Sequence, residues 1–289
     1  MYKGGSGQLT WLAHRLSGVA VVYFLTLHIF ETLQLARGPE AYNEATAVYH
    51  APWFRPFEFV LVMAVVYHAL NGLRVMLFDF FPSFTRFRQH IFWVGVGLFA
   101  ILTPLIGYFM MAKLFQPGVD FFSGLNNVPY ALLIAGPVFV PVIYLTWRGT
   151  ALGDGRKVVL SASNSAPAPT ASRFEKLAWQ FMRLSGVLLV FLALTHLFIM
   201  HIERDITEVT GEFVVDRFLS NPVWIAFDLS MLFLAWLHGL NGLRIVLTDY
   251  MRRGAARRWV LGAIGVFGLA WLVAGGAVLF IIPILVTRA

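Results

Sequence analysis

Residues 68–80 read HALNGLRVMLFDF and residues 238–250 read HGLNGLRIVLTDY. Each block opens with a histidine inside an apolar run, and two further histidines, His28 and His196, stand in apolar runs 168 positions apart. An ionisable ring in such surroundings is costly, so each of the four marks a candidate site. A single histidine of this kind is satisfied by a hydrogen bond to a neighbouring helix. Two equivalent ones on equivalent helices offer more. If the halves pair about a pseudo-two-fold axis, one imidazole nitrogen approaches each side of a flat macrocycle, which is the bis-histidine ligation of haem iron. A tetrahedral metal centre would need more ligands or carboxylates at the same depth. The chain has no cysteine, so it holds neither a disulfide framework nor thiolate-bound metal.

The repeat extends well beyond these blocks. Arg15-Leu16-Ser17-Gly18-Val19 returns as Arg183-Leu184-Ser185-Gly186-Val187, and Pro52, Phe57, Asn71, Gly72, Arg74 and Asp79 return 170 positions later as Pro222, Phe227, Asn241, Gly242, Arg244 and Asp249. Repeats of this kind build a site at the interface between halves. Gly72 and Gly242 lie four residues after His68 and His238, on the same helix face; they leave room for a porphyrin or let helices approach closely. Arg74 and Arg244 suit haem propionates, an acidic partner, or the headgroup layer.

The elements that carry these residues are membrane helices. The chain has 289 residues, 58% hydrophobic and 13% charged, with mean hydropathy +0.72, too apolar for a soluble core to absorb. Crossing about 30 Å of hydrocarbon takes about 20 apolar residues. Seven runs qualify: 12–36, 57–78, 91–114, 128–147, 184–202, 224–247 and 260–286. They are continuously apolar rather than alternating, which excludes a barrel of strands. Residues 1–10 are polar and have the wrong flanks for a cleaved signal, so the first run is read as a retained helix.

The net charge of +7 would suggest nucleic acid in a soluble protein; in a membrane protein its distribution sets orientation. With the amino terminus inside and seven crossings, the inner segments hold sixteen of the 22 cations, against only Asp79, Asp154, Glu175 and Asp249. Arg15 and Arg183 both begin a span, so the two copies enter from the same side. Three crossings alone would leave the second copy inverted, and run 128–147, which has no repeat partner, supplies the missing one. The fold class expected is an all-α membrane protein: two parallel-oriented three-helix units, 1–115 and 176–289, joined by a connector helix and an Ala/Ser/Pro-rich cytoplasmic linker within 116–175.

His14-Arg15-Leu16-Ser17-Gly18, followed by His68-x-x-x-Gly72-x-Arg74 and Asp79, resembles the larger cytochrome b anchor of succinate:quinone oxidoreductase (succinate dehydrogenase, complex II). Arg183-Leu184-Ser185, His238-x-x-x-Gly242 and Asp249-Tyr250 resemble its smaller anchor, so two anchor subunits look fused in one chain. The resemblance covers nearly everything outside residues 115–175. It implies that His68 and His238 are axial ligands of haem b, with His14, Arg15 and Arg183, joined by Arg74 and Arg244, near the propionates. It implies a quinone pocket at the cytoplasmic face lined by Arg15, Asp249 and Tyr250. The family's usual serine three residues before the His-Arg pair is Trp11 here, which leaves Ser17 as a substitute. His28 and His196 match the second axial pair of two-haem anchors. His28 is thirteen residues from Arg15, about 20 Å, and His68 eleven from Asp79, about 16 Å, so the second haem would lie roughly one haem-width lower. His201, five residues after His196, falls off its face and is expected at the outer interface.

The function implied is a bacterial cytoplasmic-membrane anchor, not catalytic alone, that passes electrons from an iron–sulfur subunit, fed by a flavoprotein, to quinone, with menaquinone expected. A trimer of complexes is one assembly the resemblance allows. The cytochrome b anchor of another quinone-linked dehydrogenase shares bis-histidine haem but not the doubled blocks. A repeat-built transporter favours acids at mid-membrane, whereas Glu58 and Asp228 stand at the outer ends of their spans.

Overall fold

The computed structural model describes residues 6–121, 123, 173–252 and 254–286. The predicted connector span 128–147 and most of the linker lie outside the described residues. Among the described residues six helices are long and apolar enough to cross a membrane. They are α1 (Ser6–Leu33), α3 (Arg55–Phe80), α4 (Arg88–Met111), α5 (Arg173–Phe198), α7 (Val223–Tyr250) and α8 (Ala255–Val286); α2 (Pro39–Thr46) and α6 (Gly211–Ser220) are short. Each unit is therefore long, short, long, long, and the repeat is visible in the fold. The described chain is helical throughout its regular structure, as an apolar chain in hydrocarbon must be if every backbone polar group is to be satisfied.

The first two long helices of each unit form a closed ring, α1 against α3, α3 against α5, α5 against α7 and α7 against α1. The third helices stand outside it, α4 on α3 and α8 on α7 and α1. Trp93, Ile101 and Leu105 on α4 and Val266, Leu269 and Val273 on α8 point outward, as side chains against lipid do. Each unit thus places a first and a second helix at the interface between halves.

Two reciprocal ion pairs fix the direction of the units. Arg15 near the start of α1 pairs with Asp249 at the end of α7, and Arg183 on α5 pairs with Asp79 near the end of α3 at 2.6 Å. Both units consequently run the same way, as the sequence requires, and this basic end carries Arg74 and Arg244 as well.

The opposite end is closed by α2 and α6. The Asn43 amide donates to Glu212 at 3.1 Å, and its carbonyl oxygen accepts from the Gly211 amide at 2.7 Å. A Cβ on Gly211 would lie 2.6 Å from the Pro39 backbone, so the crossing needs glycine. Asp205 joins the units here, accepting from Arg55 at 2.6 Å and from the Thr207 hydroxyl and amide. Burial works against its charge, but the Thr207 and Arg55 donors outweigh that and hold its pKa below the usual carboxylate range.

Candidate functional site: two histidine pairs on the bundle axis

His68 on α3 and His238 on α7 stand on diagonally opposite helices of the ring. Their ring centroids are 6.5 Å apart, with planes at 80°. An imidazole nitrogen bonds a metal at about 2 Å, and the ring centre lies about 1.2 Å further on, so two rings sharing one metal have centroids about 6.4 Å apart. The spacing therefore fits one iron.

The remaining nitrogens are accounted for. The Ser185 hydroxyl donates to the Phe181 carbonyl at 2.6 Å, so its oxygen is left to accept from His238 Nδ1 at 2.9 Å. Ser17 donates to the His14 carbonyl at 3.0 Å and lies 3.1 Å from His68 Nδ1, which also donates to that carbonyl at 3.1 Å. A carbonyl only accepts, so the proton sits on Nδ1 and the Nε2 lone pair is free for a metal. Both serines are buried, at 8% and 1% exposure.

The glycine after each serine completes the seat. A Cβ on Gly18 would lie 2.9 Å from His68 Cε1, and one on Gly186 would lie 3.4 Å from His238 Cε1. At Gly72 and Gly242 the nearest atoms would be 3.6 and 3.9 Å away, ordinary contact. Gly18 and Gly186 are thus the closer approaches, while Gly72 and Gly242 leave more space beside them. The doubled R-L-S-G block has a role at three of its positions: arginine clasps the other half, serine holds the histidine, glycine admits its ring.

The second pair repeats the geometry on the other diagonal. His28 on α1 and His196 on α5 have centroids 6.0 Å apart and planes at 74°. His28 lies eleven residues from Ser17 and His196 eleven from Ser185, which places the pairs about 16 Å apart along the axis. Around the lower pair lies a cavity of about 310 Å³ whose lining includes Glu31, Tyr49, Glu58, His201, Arg217 and Asp228. Tyr49 donates to Glu31 at 2.6 Å, and His201 Nδ1 is 3.0 Å from Glu58. Burial first, then the Glu31 carboxylate beside it, pushes the Tyr49 hydroxyl above its ordinary range, so it remains a donor. Arg217 pairs with Asp228, whose other oxygen is 4.0 Å from His196 Nδ1. No serine holds that nitrogen. His201 is therefore turned inward rather than set at the outer interface. The reason is a π turn, Ile199–Glu203, whose i→i+5 bonding returns a residue five positions on towards the starting face. Glu58 and Asp228, 5% and 8% exposed, are likewise inside the capped end.

The other predicted residues divide. Trp11, Arg15 and Asp249 meet, with the Arg15 guanidinium 3.9 Å from the Trp11 ring centre. Tyr250 follows Asp249 at the end of α7 with an exposed side chain. Ser17 is engaged with His68 instead of joining them. His14 stacks on His68 at 3.9 Å with planes 8° apart. Arg74 donates to Thr10 and Asn71, and Arg244 to Glu175 and Asn241, each within its own unit. The repeat equivalent of the Trp11 cluster is Trp179, Arg183, Asp79 and Phe80, beside which a cavity of about 510 Å³ opens. Sequence reasoning missed Ser185, Glu31 and Tyr49. One signal was available for Ser185: serine and histidine eleven apart share a helix face, in both copies.

Among the described residues no group of three or more His, Asp or Glu gathers as a metal site, and a macrocycle-bound iron needs only two protein ligands. The family model described as Succinate dehydrogenase/Fumarate reductase transmembrane subunit matches residues 1–106 and 167–282. The chain belongs to this family. The matched stretches take in most of both repeats and omit residues 107–166, the interval in which the connector span is expected. Succinate dehydrogenase 2 membrane subunit SdhC of Mycobacterium tuberculosis is 36% identical over 102 residues, covering 35% of this chain and 75% of that protein. A succinate dehydrogenase hydrophobic membrane anchor subunit of Archaeoglobus fulgidus is 31% identical over 71 residues, 25% of this chain and 61% of that protein. The chain is accordingly a multi-pass membrane anchor of the succinate dehydrogenase/fumarate reductase kind.

Proposed function

We propose that this chain unites two anchor subunits and binds haem b between His68 and His238, with a second haem between His28 and His196. Haem held there supplies a one-electron carrier. The observation that carries the reading is the 6.5 Å ring separation at His68 and His238, with both Nδ1 atoms committed elsewhere. The stack of two pairs on one axis gives electrons a path along the bundle. Arg15 and Arg183 stand above the upper pair, where His14 joins them in setting the field at the propionate side.

Quinone is received at the basic end, where Arg15 and Asp249 are clasped over Trp11 and Tyr250 presents a phenol. The repeat equivalents support this choice: Met182 stands where the first unit has His14, and Phe80 where the second has Tyr250. At these two pairs of positions only His14 and Tyr250 can give a proton to a quinone oxygen. The cavity beside Trp179 and Arg183 favours the other copy as a second reading. Tyr250→Phe should lower quinone reduction at least tenfold while Trp179→Ala leaves it within about twofold; the reverse order would move the site.

The basic end docks an iron–sulfur subunit carrying electrons from a flavoprotein, with the amino terminus on the cytoplasmic side of a bacterial membrane, menaquinone as acceptor and a trimer of complexes as the proposed assembly. Affinity purification of the tagged chain from solubilised membranes tests the role. Co-purification of a flavoprotein with succinate:quinone oxidoreductase activity is expected, and purification with no redox partner overturns it.

A further inference from the structure

Ser17 and Ser185 belong to the first helix of each unit, whereas the histidines they touch belong to the second. The two contacts are not equal. His68 Nδ1 has two oxygens within reach, the His14 carbonyl and Ser17 Oγ, both at 3.1 Å. His238 Nδ1 has Ser185 Oγ at 2.9 Å, with Ser185 99% buried and its own proton taken by the Phe181 carbonyl. An acceptor on the far nitrogen of a ligating imidazole makes the ring more basic and fixes its orientation, and removing such an acceptor costs about 10- to 100-fold in metal affinity or activity. A more basic ligand favours the higher-charged ferric iron over the ferrous.

We infer that Ser17 and Ser185 are positioning residues that set the redox poise of the upper haem, and that Ser185 carries the larger share because its histidine has no second acceptor. The inference rests on the ligand assignment above. Loss of the Ser185 oxygen leaves His238 Nδ1 without a partner in a dry site; loss of the Ser17 oxygen leaves His68 the carbonyl. The lower pair, which has no serine, stays unaffected.

The test is a redox titration of the α-band in the intact complex bearing Ser185→Ala, Ser17→Ala and Ser185→Cys. Ser185→Ala should change the ferric-to-ferrous preference of the upper haem about tenfold towards ferrous, about 59 mV upward for one electron, with Ser17→Ala giving a smaller shift in the same direction. Ser185→Cys, a weak acceptor of similar size, should fall between wild type and alanine. The midpoint of the lower haem should stay unchanged. Equal midpoints in wild type and both alanine variants, or a larger shift from Ser17→Ala, would overturn the inference while leaving the ligand assignment intact. A wild-type complex without a b-type band would defeat the ligand assignment itself.

Discussion

The two histidine pairs have nearly the same ring separation, 6.5 Å above and 6.0 Å below, yet they are held differently. Above, serine oxygens fix the far nitrogens, glycines seat the rings, and inter-unit ion pairs lie close by. Below, His196 Nδ1 has no hydrogen-bond partner, and the surroundings are a cavity with buried acids, Arg217 and His201. A serine acceptor fixes tautomer and direction permanently, while a carboxylate 4.0 Å away responds to its own partner, Arg217. The upper pair is therefore a pre-organised ligand set, and the lower pair one whose orientation depends on the charges around it.

The comparison breaks most completely at the ligands. His238→Ala should abolish the upper haem and leave the lower one, halving the b-type absorbance. His196→Ala should do the converse, and loss of both signals from either variant would mean that the pairs are not independent. Next in size is the cap that closes the lower site. Asp205→Ala breaks a buried ion pair between units and should cost about 3 kcal/mol in thermal or denaturant unfolding of the anchor. Because the folded carboxyl lies below its usual range, its contribution is present above about pH 3.9 and lost as pH falls through the folded value, so the Asp205 variant should show a flatter acid-stability profile than wild type. The ring seats give the next effect. Gly18→Ala places a methyl against His68 and should cost about 1 to 3 kcal/mol, lowering upper-haem occupancy, whereas Gly72→Ala should be nearly neutral. Asp228→Asn removes the charge that holds buried Arg217 and should move the lower midpoint while leaving the upper one in place; a shift in the upper one would deny the separation of the sites.

The same contrast marks how far the sequence reaches. Six of the seven expected spans, the doubling, the direction of the units and the pairing of His68 with His238 and His28 with His196 are legible, because apolar run length and motif offset act directly on topology. The connector span 128–147 lies outside the described residues. What the sequence does not reveal depends on local backbone geometry and on distant cover. The π turn at Ile199–Glu203 redirects His201, and nothing in its composition announces it. Glu58 and Asp228 read as outer-end acids until α2 and α6 fold over them, a crossing that hinges on Asn43 and Gly211. The motif suggests Ser17 for the quinone pocket and gives Ser185 no role of its own; the bond each makes to a histidine on another helix exists only once the helices pack.

The most direct measurement of the central claim, one imidazole from each half on each iron, is the haem content and redox titration of the purified complex. Two b-type haems per chain with two separate midpoints, the upper lost in His68→Ala and in His238→Ala alike, are expected. A chain free of b-type absorbance, or one whose spectrum survives both substitutions, would contradict it.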